Sequence, residues 1–208
     1  NFIETIIVPP VKRGLSPRCK QETIAMPRIP TPATINAAPA AARPMLEAVK
    51  KQLGSAPNLF RITATSPAAL EGYLGLNGAL AKGALDAATR ERIALAVAKI
   101  NGCRYCLAAH TYLGKNVAKL GDAEIAANRN GRSSDPRANA AVAFATKVTR
   151  DRGAISDADF DAARAAGYSD AEIVEIVAHV ALNTLTNYIN EVFGTEVDFP
   201  AVPVTQAA

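Results

Sequence analysis

Two of the three cysteines and one of the two histidines of this 208-residue chain fall within eight positions: Cys103, Cys106 and His110, with Arg104 and Tyr105 between the thiols and Glu91 upstream. On a helix that begins near residue 103 these are positions i, i+3 and i+7, so the three side chains share one face and Cys106 lies one turn from His110. A thiol and an imidazole so placed can approach hydrogen-bond range. In a helix interior, Cβ atoms three residues apart are separated by about 5–6 Å, whereas a disulfide needs about 3.5–4.5 Å. Cys103 is therefore expected in the first turn, where the backbone can adjust, and Gly102 immediately before it permits that.

Magnitudes decide what the second thiol needs. An ordinary cysteine, with a pKa of about 8.5, is only a few per cent thiolate at neutral pH. A helix N-terminus contributes about 0.3–1 kcal/mol, less than one pKa unit, so the dipole alone does not make a nucleophile. An adjacent base is required. His110 has the spacing to serve Cys106, and Glu91, from the preceding helix, can orient the imidazole or relay its proton. Position alone favours Cys103 as the more acidic thiol, because it lies nearest the helix end, while the base favours Cys106. A dithiol with an acid–base partner is suited to attack the O–O bond of a peroxide, giving a sulfenic acid that the neighbouring thiol resolves to a disulfide.

Blander readings of the same residues are available. A CxxC can be half of a zinc site, but zinc normally takes four ligands, and only Glu91 or His179 could complete Cys103, Cys106 and His110; no metal is expected. Two inert cysteines on an apolar helix face are a second possibility. His179 lies among Ile176, Val177, Val180 and Leu182 and reads as a satisfied core histidine. Asn183, Asn187 and Asn190 fall at i, i+4 and i+7, where they could line a pocket or bond across a subunit interface, and the interface is the favoured reading. Cys19 reads as incidental. Glu91 stands between Arg90 and Arg92 and could be a surface charge, but the apolar run 93–97 that follows points to a largely buried helix.

The elements that must position these groups are helices. Apolar residues recur at helical spacing and strand-type alternation is absent. Helices are expected over 44–53, closed by Gly54; from the N-cap Ser66 and first-turn Pro67 to 82; over 86–100, closed by Asn101-Gly102; over 103–120; over 122–130; from Asp135-Pro136 to 152; over 156–166; and from the capping box Ser169-x-x-Glu172 to about 193. The Pro- and Ala-rich stretch from Met26 is expected to run extended until Pro44, and the tail 195–208 to be extended.

Composition agrees with one soluble all-α domain over 26–208. Hydrophobic residues make up 49% and aromatic residues 5%, with Gly 13, Pro 13 and Cys 3, which excludes collagen-like, disulfide-scaffold and fully disordered chains. The longest nearly uncharged runs are far shorter than the ~20 apolar residues of a membrane span. Half of the formal +4 charge sits in residues 1–25, an arm with Lys12, Arg13, Arg18 and Lys20 against Glu4 and Glu22. That leaves a nearly neutral body, so neither nucleic acid nor membrane is expected as a partner. The arm has no signal-peptide order and reads as an N-terminal arm or upstream segment of a cytoplasmic protein. About a fifth of the residues are alanine, which favours helix but supplies little burial per residue. Self-association into a homo-oligomer is therefore expected, with the arm able to wrap a neighbouring subunit.

The pattern Glu91-x11-Cys103-x2-Cys106-x3-His110 resembles the signature of the alkylhydroperoxidase D-like branch of the carboxymuconolactone decarboxylase family. The wider stretch from Met26 through PNLF, ALEGYLGLNGAL and TNYINEVFGTEVDFP is similar to its peroxidase-related subgroup, so the resemblance covers about 26–200. It implies an all-helical bundle with the CxxC at the N-terminus of a central helix and a trimeric or hexameric assembly. It also implies reduction of alkyl hydroperoxides in antioxidant defence. In that cycle Cys106 is the peroxidatic thiol, Cys103 resolves it, and Glu91 and His110 relay the proton. No metal, haem or other cofactor is implied, and the electrons return from a dithiol donor such as a lipoyl or thioredoxin-like protein. Tyr105 stands where the best-known members have a histidine, so this relay lacks one of its parts. Two rival functions remain at this stage. One is a lactone decarboxylase like the founding members, which do not work through a redox CxxC. The other is a non-catalytic helical protein whose cysteine pair is structural.

Overall fold

Short polar residues capture the first free N–H groups of the helices where the sequence places them. The computed structural model describes residues 27–200 and contains, among these, nine α-helices and no strand. They are α1 (Arg43–Leu53), α2 (Asn58–Thr63), α3 (Pro67–Leu80), α4 (Ala87–Ile100), α5 (Arg104–Asn116), α6 (Asp122–Arg129), α7 (Pro136–Arg150), α8 (Asp157–Ala165) and α9 (Asp170–Phe193). The side chains of Ser66, Asp86, Asp135 and Ser156 accept from the backbone N–H three residues on. Ser169 and Glu172 form both halves of the capping box of α9.

Three expectations are corrected. The stretch before Pro44 is not extended: 3₁₀ turns form at Ile35–Ala37, capped by Thr34, and at Ala40–Ala42, and they carry Ala38 and Ala42 into the core. Small alanines let this stretch lie against α1 without a large side chain to expel it. Helix α2 was not foreseen, because six residues after a proline are too few to show a period. Helix α5 stops at Asn116 rather than near 120, since Lys119 takes a left-handed φ of 57°. The residues from Thr195 to Pro200 form no helix, as expected. Residues 1–26, with Cys19, and 201–208 lie outside the described residues.

Helix α4 is the centre of the molecule. Its residues from Ile93 to Ala98 are all buried, and it packs against α5, α6, α7 and α9. Alanines at 94, 96 and 98 allow those neighbours to approach closely, while Ile93, Leu95 and Val97 supply the larger burial, about 1.5–3 kcal/mol for each full side chain. On one side of α4 lies a cluster containing Leu46, Leu70, Tyr73, Leu182 and both thiols. On the other, Ile93 and Val97 meet Phe144, Val148, Ile176 and Val180. The start of α4 is fixed to α9 by Glu175, whose carboxylate accepts from Ala84 N (2.9 Å) and Leu85 N (3.0 Å). Gly83 makes room for it, since a Cβ there would meet the carboxylate at 2.5–2.7 Å. No helix of the described residues is long and apolar enough to cross a membrane.

The turn between α4 and α5 brings Cys103 into place. Gly102 adopts φ +69°, and Cys103 N–H reaches back 3.0 Å to Ala98 O. A side chain at Gly102 meets no steric obstacle but must hold a left-handed backbone. Gly102→Ala is therefore expected to lower stability in urea denaturation by about 1–2 kcal/mol. Gly72→Ala, on the exposed face of α3 with open space at its Cβ, is expected to raise it by up to about 1 kcal/mol. Equal effects of the two would contradict the conformational argument.

Candidate active site

Cys103 is the N-cap of α5, with an extended backbone (φ −78°, ψ 102°), and its Sγ accepts from Cys106 N–H at 3.3 Å. The thiol thus performs the work that Ser or Asp performs at the starts of α3, α4, α7, α8 and α9, and the cysteine stands at the helix start, as the N-cap just before the first turn. Both cysteines are free thiols and both are buried. Cys106, one turn into the helix, receives Asn190 Nδ2 at 3.2 Å.

Burial of an unaided thiol raises its pKa. Cys106 departs from that, and its pKa is lowered to about 7. The first cause is a hydrogen bond from the Cys103 thiol, which outweighs burial; the positive His110 and the amides of Asn190 and Asn187 act in the same direction. Cys103 moves the other way, raised by the same hydrogen bond, by burial and by the charge on Cys106. Proximity to the helix end therefore does not make Cys103 the acidic thiol: its proton is what holds the charge on its neighbour.

His110 stands on α5 one turn beyond Cys106, and its Nδ1 is 2.9 Å from Glu91 Oε2 on α4. Burial alone would lower the imidazole pKa, but the Glu91 carboxylate overcomes it and the net shift is upward. The two arginines beside Glu91 are occupied elsewhere. Arg90 donates to Ala81 O and Leu85 O, and Arg92 pairs with Glu124 on α6 at 2.9 Å, so Glu91 is left for His110. Glu91 is 20% exposed at its side chain and is no freely solvated surface charge. His110 acts on the Cys106 sulfur through its charge.

All four residues meet in or beside one cavity of about 260 Å³, whose walls include Cys106, His110 and Glu91. Its apolar lining comes from Leu59, Phe60, Tyr73, Leu113, Leu182 and Phe199. Tyr105 also faces it, but its hydroxyl is engaged, donating to Asp198 Oδ1 (2.8 Å) and accepting from Leu59 N–H (3.1 Å). Its ring packs edge-on against Phe199. Tyr105 thus ties α2 and the tail over the site.

Three groups depart from the sequence reading. Asn183, Asn187 and Asn190 do not face a neighbouring subunit; all are buried inside this chain. Asn183 bonds its own helix at His179 O, Asn187 accepts from Asn101, and Asn190 serves the sulfur. Their spacing was visible, but which face of α9 turns inward was not. His179 is no satisfied core histidine: it is 5% exposed, lines the same cavity, and its Nε2 has no hydrogen-bond partner among the described residues. Tyr73 was not singled out at all. It too lines the cavity, and its hydroxyl is kept protonated by burial and by the charges of Cys106 and Glu91. A metal is not favoured by this geometry, since among the described residues no three His, Cys, Asp or Glu side chains gather to hold one.

The thiolate and the imidazolium support each other, which sets a pH dependence. Raising pH through about 7 should increase alkylation of Cys106 by iodoacetamide, a midpoint well below that of an ordinary thiol. In Glu91→Gln, His110 loses the group that keeps it protonated, so the midpoint should move upward, towards the ordinary range of about 8.5. An unchanged midpoint would show that Glu91 does not act on the sulfur.

Comparison with known proteins finds the chain similar to one family model and to several solved structures. Residues 67–151 match the model of the carboxymuconolactone decarboxylase family, and the resemblance drawn from the motif is borne out. Among solved structures the chain is similar to the alkylhydroperoxidase AhpD core of a peroxidase-related protein from Ralstonia eutropha JMP134. The identity is 27%, over 83% of this chain and 92% of that one, with a TM-score of 0.74. A peroxidase-related protein from Silicibacter sp. TM1040 shares the fold at 24% identity, over 82% and 93% of the two chains, with a TM-score of 0.70. The debrominase Bmp8 shares it at 21% identity, over 85% and 95%, with a TM-score of 0.69. No curated protein matches the chain.

Proposed function

Starting from the carboxymuconolactone decarboxylase family match and the AhpD-like helical fold, we propose that this protein is a thiol-dependent peroxidase that reduces organic hydroperoxides. The reading rests on one observation: a buried Cys106 sulfur with a lowered pKa, hydrogen-bonded to the thiol that can resolve it and facing an imidazole held protonated by a carboxylate. Neither a structural disulfide nor an inert core cysteine needs that arrangement.

With its proton on His110, Cys106 is a thiolate and attacks the outer oxygen of ROOH. The O–O bond breaks, leaving Cys106 as a sulfenic acid and releasing RO⁻, which takes the proton from His110 to leave as ROH. Cys103 then attacks the sulfenic sulfur, forming the disulfide and expelling water. A dithiol donor, lipoyl or thioredoxin-like, supplies two electrons and two protons to restore both thiols. Glu91 orients His110 and stabilises its charge until the proton leaves with ROH; reduction of the disulfide returns that proton. The mainly apolar cavity suits an organic R group. A reducing, cytoplasmic setting would keep the pair ready as thiols.

The reading extends to self-association. Helix α9 buries one face in the core, yet Val174 (68% exposed), Val177, Leu185, Tyr188 (58%) and Val192 line its outer face on the single chain. An apolar stripe of that length is a surface on which copies of the chain can meet.

With a dithiol donor in excess, Cys106→Ser should consume no hydroperoxide. With the donor left out, Cys103→Ser should react once per chain and stop at a sulfenic acid that dimedone traps. Sustained turnover by Cys106→Ser, or no oxidation of the wild-type pair by one equivalent of hydroperoxide, would overturn the assignment. Replacing Tyr188 with Glu should reduce the mass measured by light scattering if the outer face of α9 is a contact between copies.

A further inference from the structure

In the proposed cycle the charge that appears on the departing oxygen has one partner, His110, and the same imidazole supports the Cys106 sulfur. A second donor open to the cavity would stabilise that charge before the proton moves. Tyr73 has the position for it. This residue of α3 is 9% exposed, packs in the same apolar cluster as both thiols, and lines the cavity together with Cys106, His110 and Glu91. One side of its ring rests against Phe60, with centroids 5.5 Å apart. Its hydroxyl has no hydrogen-bond partner among the described residues and, unlike His179 Nε2, is not sealed from solvent. The hydroxyl lies deep in the protein, so the surface it keeps is cavity surface. The charges of Cys106 and Glu91 both act on it, as they do on an oxygen directed at the walls that α5 and α4 supply.

The other polar groups of the wall have different work. Arg90 donates to Ala81 O and Leu85 O, and Tyr105 donates to Asp198. Asn183 and Thr186 bond within α9. The Nε2 of His179 is sealed away from any ligand. Asn77, one turn along α3 from Tyr73, is exposed, where water competes for its amide. Glu91 is the partner of His110. Burial and the two neighbouring negative charges raise the Tyr73 pKa, so the phenol keeps its proton and serves as a donor rather than as an acid.

We propose that Tyr73 is a further catalytic residue, whose hydroxyl donates a hydrogen bond to the alkyl-bearing oxygen of the hydroperoxide as the O–O bond breaks. The inference rests on the peroxidatic reading. A sulfur electron pair forms the S–O bond, the O–O pair leaves on the alkyl-bearing oxygen, and Tyr73 stabilises the charge growing there. His110 then delivers the proton that makes ROH, and Tyr73 retains its own. The bond is worth most in the transition state, where the oxygen is becoming an alkoxide.

The test is Tyr73→Phe, read with three reagents that attack or are attacked at the same sulfur. Oxidation of Cys106 by cumene hydroperoxide should be about 10- to 100-fold slower than in wild type, the loss of one hydrogen bond to a developing charge. Alkylation by iodoacetamide should stay close to the wild-type rate, because iodide leaves without a hydrogen bond from the protein. Perbenzoic acid, whose leaving benzoate is a weak base, should oxidise the variant with a much smaller loss than cumene hydroperoxide shows. The thermal midpoint should not fall, since the hydroxyl bonds nothing in the free protein. Equal slowing with all three reagents would mark a merely structural role and overturn the proposal, as would an unchanged rate with cumene hydroperoxide. If hydroperoxide fails to oxidise the wild-type pair, the peroxidatic reading itself falls and takes this role of Tyr73 with it; if it oxidises wild type and Tyr73→Phe equally fast, only the role of Tyr73 falls.

Discussion

A buried thiol whose pKa is held down to about 7, on a residue that is 2% exposed, is the constraint around which this molecule is arranged, because its charged form must be supported from within. Water cannot stabilise it there, so the chain must bring donors and a positive charge to one point in a low-dielectric interior. They arrive from separate elements: the Cys103 thiol from the N-cap of α5, Asn190 from α9, and the His110 charge from the next turn of α5. Glu91 holds that charge from α4. Remove the packing of α4 against α5 and α9 and the groups no longer converge. The central position of α4 is therefore an electrostatic requirement as much as a packing one.

Partition of labour between the two thiols follows from the same constraint. One proton shared between two buried sulfurs must sit on one of them, and the one with external support carries the charge. Cys106 faces His110 and the two asparagines. Cys103 is turned back to cap the helix and donates its proton. The helix dipole, the argument available from position alone, is too weak at about 0.3–1 kcal/mol to reverse this.

What could be read from the sequence was what is written locally. Ser66, Asp86, Asp135, Ser156 and Ser169 announce their helices because a cap is a property of three or four consecutive residues, and the four motif residues announce themselves by spacing. Inside and outside on α9 could not be read, because that helix carries apolar residues on both faces. Val177 is 44% exposed while Asn187 is fully buried, the reverse of what hydropathy favours. His179, with apolar neighbours in sequence, reads as a satisfied core residue, and only the structure shows that its Nε2 has no partner among the described residues. Helix α2 escaped because it is held from outside. Asn58 N–H bonds Asp198 Oδ2 at 2.7 Å and Leu59 N–H bonds the Tyr105 hydroxyl, partners 140 and 46 residues away.

Where α3, α4, α7, α8 and α9 begin on a hydroxyl or carboxylate, α5 begins on a sulfur. That one sulfur serves two neighbours, accepting from the Cys106 amide and giving its proton to the bond that lowers the Cys106 pKa. The residue that starts the helix is thus also the residue that tunes its thiol, so a change at position 103 reaches local structure and chemistry at once.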